Sequence, residues 1–167
     1  GEEAIRKAFR QVTSAVEDVE GVLLQEMVPG GHEVLIGMTE DKLFGPLIVF
    51  GMGGVLVELV GDVAFRINPV TDLEAAEMLR EIGPARLLQG YRSFPPGDIE
   101  AVEEAILRVS TLADAIPEIR EMDLNPVKVL APGEGVKVVD ARIRVERIDE
   151  AWSPDLFDVR GRVGRPG

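Results

Sequence analysis

Cysteine is absent from this 167-residue chain. Disulfides and thiolate metal sites are therefore excluded, and the composition fits a reducing compartment. Histidine occurs once. That residue, His32, lies in a Pro-Gly-Gly loop with only Glu33 as an acidic neighbour, the setting of an exposed loop residue, and no Ser/His/Asp or Cys/His arrangement can be assembled. No apolar run approaches the roughly 20 residues that a membrane span requires, and no charged-then-apolar leader opens the sequence. A soluble, cytoplasmic protein with no membrane partner is the expectation. Basic residues are also scarce: 18 Lys and Arg stand against 30 Asp and Glu, a net charge of −12. Such a balance argues against a nucleic-acid partner, because a duplex binder must neutralise phosphates over a broad surface.

What is present reads as one domain, long enough to bury a core without staples. Residues 2–18 place Ile5, Ala8, Phe9, Val12 and Val16 at spacings of three and four, which predicts an amphipathic helix. "VLLQEMV" and "EVLIGMT" are β-type runs joined by "PGG" and are expected to pair antiparallel. "GPLIVFGMGG" is a third strand and "DVAFRINP" a fourth, stopped by Pro69. Thr71 and Glu74 stand in capping-box spacing at the head of a helix over residues 71–81. Residues 84–97 read as irregular. Asp98 caps a second long helix, whose Val102, Ile106, Val109 and Leu112 recur every three or four residues. "IREMDL", "VKVL" and "VKVVDARIRV" complete the strands, with "APGEG" as a turn between the last two. The order of strands, helices and strands again is that of an α+β fold with a largely antiparallel sheet. Beyond Val145 the pattern fades into an Arg/Gly/Pro-rich end, in which Trp152, Leu156 and Phe157 are the residues able to dock.

Several polar groups sit where strands would ordinarily carry Val, Thr or Ile. Asp123, Asn125 and Asp140 suit either Asx turns or a hard divalent cation, which takes oxygen ligands and leaves its other positions to water and phosphate. Strand alternation puts Asp123 and Asn125 on one face. Glu26 and Glu33 bracket the Pro-Gly-Gly turn, as solvated hairpin acids or as acceptors for sugar hydroxyls. The "FGMGG" run ends in Gly51, Gly53 and Gly54, which fit either a tight turn or a phosphate-binding loop without being a Walker A or GxGxxG motif. Arg66 is a surface strand arginine or a bidentate phosphate ligand.

In this order, "VLLQEMVPGGHEVLIGMTEDKLFGPLIVFGMGGVLVELVGDVAFRINP" and "EMDLNPVKV…VVDARI" resemble the C-terminal part of an ATP-grasp domain. The kind is that of NDP-forming (ADP-forming) acyl-CoA synthetases and, more distantly, the succinyl-CoA synthetase β subunit. The resemblance covers residues 2–145. It implies an ATP-grasp subdomain over 1–145, lacking its N-terminal lid, followed by a tail over 146–167. By resemblance, Glu26, Met27 and Val28 are similar to the hinge that holds adenine, and Glu33 falls where the ribose-binding acid lies. Asn125 and Asp140 match the two protein ligands of the nucleotide's Mg²⁺, and Asp123 matches an acid near the site of phosphoryl transfer. Gly53, Gly54 and Arg66 belong near the phosphates of ATP or ADP. The implied reaction couples acyl-CoA cleavage to ATP formation through an acyl phosphate and a phosphohistidine. That histidine belongs to a CoA-binding domain or subunit, the implied partner, and His32 does not match it. None of Lys7, Lys42, Lys128 and Lys137 matches the lid lysine, so weak or no nucleotide binding and no turnover are expected of these residues alone. The alternative is a regulatory or assembly module, such as the ATP-grasp-like part of a protein acetyltransferase fusion.

Overall fold

The computed structural model describes residues 1–53 and 62–147, and Gly54 and the tail residues Trp152, Leu156 and Phe157 lie outside them. Helix α1, Glu2–Ala15, ends three residues before the predicted boundary because Val16 turns extended. None of its residues is buried. Its stripe of Ile5, Phe9, Val12 and Val16 is half-exposed.

The predicted pairing of residues 22–28 with the following strand is not formed. Strand β1, His32–Asp41, has both edges occupied: β2, Gly45–Met52, pairs from Val34↔Met52 to Asp41↔Gly45, and β4, Ile119–Val129, lies along the other side. With no open edge on β1, residues 22–28 lie outside any strand, leaving Leu23 and Met27 87% and 85% exposed. Gly30 and Gly31, at φ 67° and 73°, carry the chain into β1. A side chain at Gly31 would stand 2.7 Å from the Val129 carbonyl oxygen. His32 corrects another expectation. It is the first residue of β1 and is buried, with Nε2 donating to the Pro95 carbonyl at 2.7 Å.

Strand β3, Val63–Ile67, extends the sheet beyond β2. Helix α2, Asp72–Glu81, opens on the anticipated capping box, with the Glu74 N–H donating to Thr71 Oγ1 and the Thr71 N–H donating to Glu74. The next stretch is less irregular than predicted, since Gly83–Gln89 winds as a 3₁₀ helix. Helix α3, Ile99–Ala115, starts at Asp98, whose carboxylate accepts the N–H of Ala101 and also those of Gly133 and Gly135. The helix cap thereby holds the turn that follows β4 as well.

"IREMDL" and "VKVL" form one strand, β4, whereas "VKVVDARIRV" splits into β5, Val136–Val138, and β6, Ala141–Val145. The order is β3-β2-β1-β4-β5, with β6 also on β4, and every pairing is antiparallel. The helices cover one face. Val34, Ile36, Met38, Ile48, Phe50 and Met122 pack there against Met78, Leu88, Val102 and Ile106, all fully or nearly fully buried. Truncating Phe50 to Ala in such a core costs about 3–5 kcal/mol. Buried Ser110 is satisfied: it donates to Asn68 Oδ1 at 2.7 Å and accepts the Val70 N–H at 2.9 Å.

The opposite face is open. Phe65 and Ile67 stand on it about half exposed, and Leu35, Leu47 and Val49 are only partly covered. Among the described residues no helix is long and apolar enough to cross a membrane.

Candidate functional site on the open sheet face

The irregularities in β4 and in its outer neighbours fall at the same level. Val34 is opposite Val127 and Ile36 is opposite Leu124, so Leu35 alone faces the two residues Asn125 and Pro126, whose peptide bond is cis. This bulge re-phases the strand. Met122 and Leu124 meet the helices before it, Val127 and Val129 after it. Asp123 and Lys128 are left on the open face, on either side of the bulge.

Across from the bulge, β5 ends at Val138 and β6 begins at Ala141, with Val138 opposite Val127 and Ala141 opposite Leu124. The gap is Val139 and Asp140. The Val139 N–H donates to the Pro126 carbonyl at 3.0 Å, fixing the gap against the bulge. Asn125 and Asp140 are thus brought side by side by register. A regular ladder would have given neither residue the freedom to turn from its pairing partner.

The segment before β1 closes one end. Gln25 Nε2 donates to the Val139 carbonyl at 2.8 Å, and Lys137 Nζ lies 3.0 Å from Glu26 Oε1. Gln25, Glu26, Val28, Lys137, Val138 and Val139 line a recess of about 300 Å³. A charge row crosses the sheet at this level: Glu33 is ion-paired with Lys128 at 2.8 Å, Lys128 pairs in register with Lys137, and Lys137 reaches Glu26. Glu26 and Glu33 therefore share one row, next to the Asn125–Asp140 pair. Met27 belongs to the same segment and is exposed.

Beyond the bulge, Asp123 stands opposite Gly37 on one side and Arg142 on the other. Its Oδ1 is buried with no hydrogen-bond partner. An orphaned buried carboxylate oxygen in a strand costs stability, and it is an anomaly that a cation or donor would remove. Asp140 Oδ1 accepts the Ala141 N–H at 2.9 Å, while among the described residues Oδ2 has only Arg142, 3.8 Å away. The donor set of an amide oxygen and carboxylates suits a hard divalent cation that keeps positions for water or phosphate. Among the described residues no three His, Cys, Asp or Glu side chains converge as a closed cage.

Two anticipated contributors are elsewhere. Arg66 lies in register with Ile48, Met38 and Met122, on the helix-covered face and toward the far edge of the sheet. Its guanidinium is engaged by Glu81 at 2.9 Å and Glu77 at 4.0 Å. The geometry therefore does not bring Arg66 to Asp123. Gly53 is next to Glu33, but its N–H donates to the Glu33 carbonyl at 2.6 Å and is not presented to a ligand. The residue is glycine for close approach: a Cβ would stand 2.9 Å from the Glu33 carbonyl carbon. Arg142 was missed in the sequence, although its alternation with Asp140 was the signal that could have found it.

An antiparallel sheet with helices on one face and a polar row on the other frames this site, and a family model described as an ATP-grasp domain matches residues 1–145. The chain belongs to the ATP-grasp family. It is 50% identical over 149 residues to acetate–CoA ligase [ADP-forming] I of Archaeoglobus fulgidus, an alignment covering 86% of this chain and 22% of that protein. It is also 50% identical over 127 residues to the β subunit of acetate–CoA ligase [ADP-forming] II of Pyrococcus furiosus, covering 75% and 54%. Among solved structures, the dinucleotide-forming acetyl-coenzyme A synthetase 1 of Ca. Korarchaeum cryptofilum, in complex with coenzyme A and Mg-AMPPCP, matches with a TM-score of 0.78. The identity is 42%, over 87% of this chain and 65% of that one. The chain thus spans 22% and 54% of the two ligases' own lengths.

Proposed function

We propose that this chain is the nucleotide-binding part of an ADP-forming acyl-CoA synthetase, and that the open sheet face receives ATP or ADP with Mg²⁺. The observation that carries this reading is the alignment of the Asn125–Pro126 bulge with the Val139–Asp140 gap, next to a buried Asp123 oxygen that has no partner. The full reaction is the reversible conversion of acyl-CoA, ADP and phosphate to acid, CoA and ATP. The relatives named above carry that activity in longer chains or with further subunits.

Each residue has a task within the half-site. Glu26 and Val28 line the recess in which the purine edge is read, with Met27 between them in the same segment, and Glu33 accepts the ribose hydroxyls while Lys128 holds its carboxylate in place. Asn125 and Asp140 hold the cation on the phosphates. When bound, magnesium neutralises phosphate oxygens and disperses the charge of the phosphoryl group in flight. Asp123 faces the group being transferred. A phosphohistidine segment on a CoA-binding domain or subunit approaches the open face as acceptor or donor, and a lid subdomain covers the nucleotide. One wall of a two-walled site binds weakly, so millimolar nucleotide is the relevant range for this chain. The cysteine-free composition suits the cytoplasm, where the nucleotide pool is found. A purely regulatory role is disfavoured because it gives no reason to keep Asp123 at the cost of an unsatisfied oxygen.

Titration calorimetry with Mg-ADP tests the proposal. Magnesium-dependent binding is expected, weakened at least about tenfold, or ~1.4 kcal/mol, in Asn125→Ala and in Asp140→Ala. Equal binding in the presence of EDTA, parent-like variants, or no binding at millimolar nucleotide would each overturn it.

A further inference from the structure

The open face holds more positive charge than the nucleotide reading has used, and its distribution singles out one residue. Lys128 is paired with Glu33 at 2.8 Å and Lys137 with Glu26 at 3.0 Å. Arg144 is held by Glu121 at 3.2 Å and by Glu146. Arg142 differs. Its side chain is 80% exposed, and its one ion-pair contact among the described residues is the loose 3.8 Å approach to Asp140. Strand pairing puts it directly opposite Asp123. Together with Glu121, Asp123, Ile143 and Arg144 it lines a second recess of about 300 Å³.

Position along the site decides what this recess would hold. The hinge recess is lined from Lys137 to Val139, the Asn125–Asp140 pair follows, and Arg142 is two strand residues beyond Asp140, about 7 Å further from the hinge. A nucleotide with its base at Lys137–Val139 and its diphosphate at Asn125 and Asp140 therefore points its terminal phosphoryl group at Arg142. Without a cation there, that group would face Asp123, Asp140 and Glu121. A guanidinium offers a planar fork matched to two phosphoryl oxygens, and an arginine without a tight partner need break no existing bond to use it.

We propose that Arg142 binds the terminal, transferable phosphoryl group and sets the preference of this face for a nucleoside triphosphate over a diphosphate. The inference rests on the nucleotide reading above and reassigns to β6 the phosphate arginine that the family resemblance had put at Arg66. Because Arg142 is exposed, its replacement should leave the fold intact.

The test is the affinity ratio of Mg-AMPPCP to Mg-ADP, measured by NMR titration of the chain and of its Arg142→Gln and Arg142→Lys variants. The parent is expected to bind Mg-AMPPCP the more tightly. Arg142→Gln should weaken Mg-AMPPCP about tenfold while leaving Mg-ADP within about twofold of the parent, and Arg142→Lys should fall between. A variant that keeps the parent's ratio, or that weakens both nucleotides equally, overturns the inference while the nucleotide reading stands. A parent that binds neither nucleotide overturns that reading, and this one with it.

Discussion

Asp123 offers the sharpest separation of stability from function. It occupies a strand position where a β-branched residue is favoured, and its Oδ1 is buried with no partner. Replacing it with Val removes an unsatisfied acceptor, worth about 1 kcal/mol at the low end of the usual 1–3 because the residue is only partly buried. A β-branched side chain in place of Asp adds up to about 1 kcal/mol of strand preference. Little is lost in return, since the acid within ion-pair distance of Arg142 is Asp140 and not Asp123. The sum is about 2 kcal/mol of stabilisation, which for a chain of this length raises Tm by roughly 4–8 °C. A thermal melt followed by circular dichroism, without nucleotide or Mg²⁺, measures it. A Tm lowered by a similar amount would refute the claim that Asp123 is kept at a structural cost, and an unchanged Tm would show that water already satisfies the oxygen.

Other perturbations test the frame around the site. Gly37→Ala should destabilise the chain by about 1–3 kcal/mol, because the added Cβ meets the Met122 carbonyl oxygen at 2.5 Å in the middle of the sheet; urea unfolding reports it. Thr71→Ala breaks the capping box at the start of α2 and should cost about 0.5–2 kcal/mol in the same assay. Asp98 gives a pH signature. The Gly135, Ala101 and Gly133 N–H groups hold its carboxyl below the usual carboxylate value. Its contribution is therefore fully present above the unfolded pKa of about 3.9 and is lost as pH falls through the lower folded value. Denaturation midpoints should drop below about pH 4 in the parent and drop less steeply in Asp98→Asn; parallel curves would contradict this.

Much of the architecture was legible because its signals are local. Alternation in "EVLIGMT" and "GPLIVF", the three-and-four spacing of Val102, Ile106 and Val109, and the caps at Thr71 and Asp98 each follow from a short window of sequence. The pairing of residues 22–28 was not legible for the opposite reason. An apolar run shows that a strand is possible, but whether an edge is free depends on β4, nearly a hundred residues later. Arg66 illustrates a related ambiguity. Alternation in "VAFRI" places Phe65 and Ile67 on one face and Ala64 and Arg66 on the other, and size alone suggests that the larger pair faces the core. The helices instead cover Ala64 and Arg66, where Glu77 and Glu81 of α2 neutralise the guanidinium. His32 was read from its Pro-Gly-Gly surroundings, but the Pro95 carbonyl that receives its proton comes from the segment before α3. The polar residues in the late strands were visible as anomalies. Their common location depends on the bulge and the gap, which no single strand records.

The central claim is that the open face, and not the helix-covered face or the Asp98 turn, holds the metal nucleotide beside Asn125 and Asp140. A paramagnetic map tests it most directly: Mn²⁺-ADP is added in trace amounts to the ¹⁵N-labelled chain, and the loss of amide signals is recorded residue by residue. Broadening should centre on Asp123–Asn125 and Val139–Arg142, reach Gln25–Val28 more weakly, and spare Arg66, α2 and α3. Broadening centred on the Gly133–Gly135 turn or on Arg66, or spread evenly over surface acids, would contradict the claim.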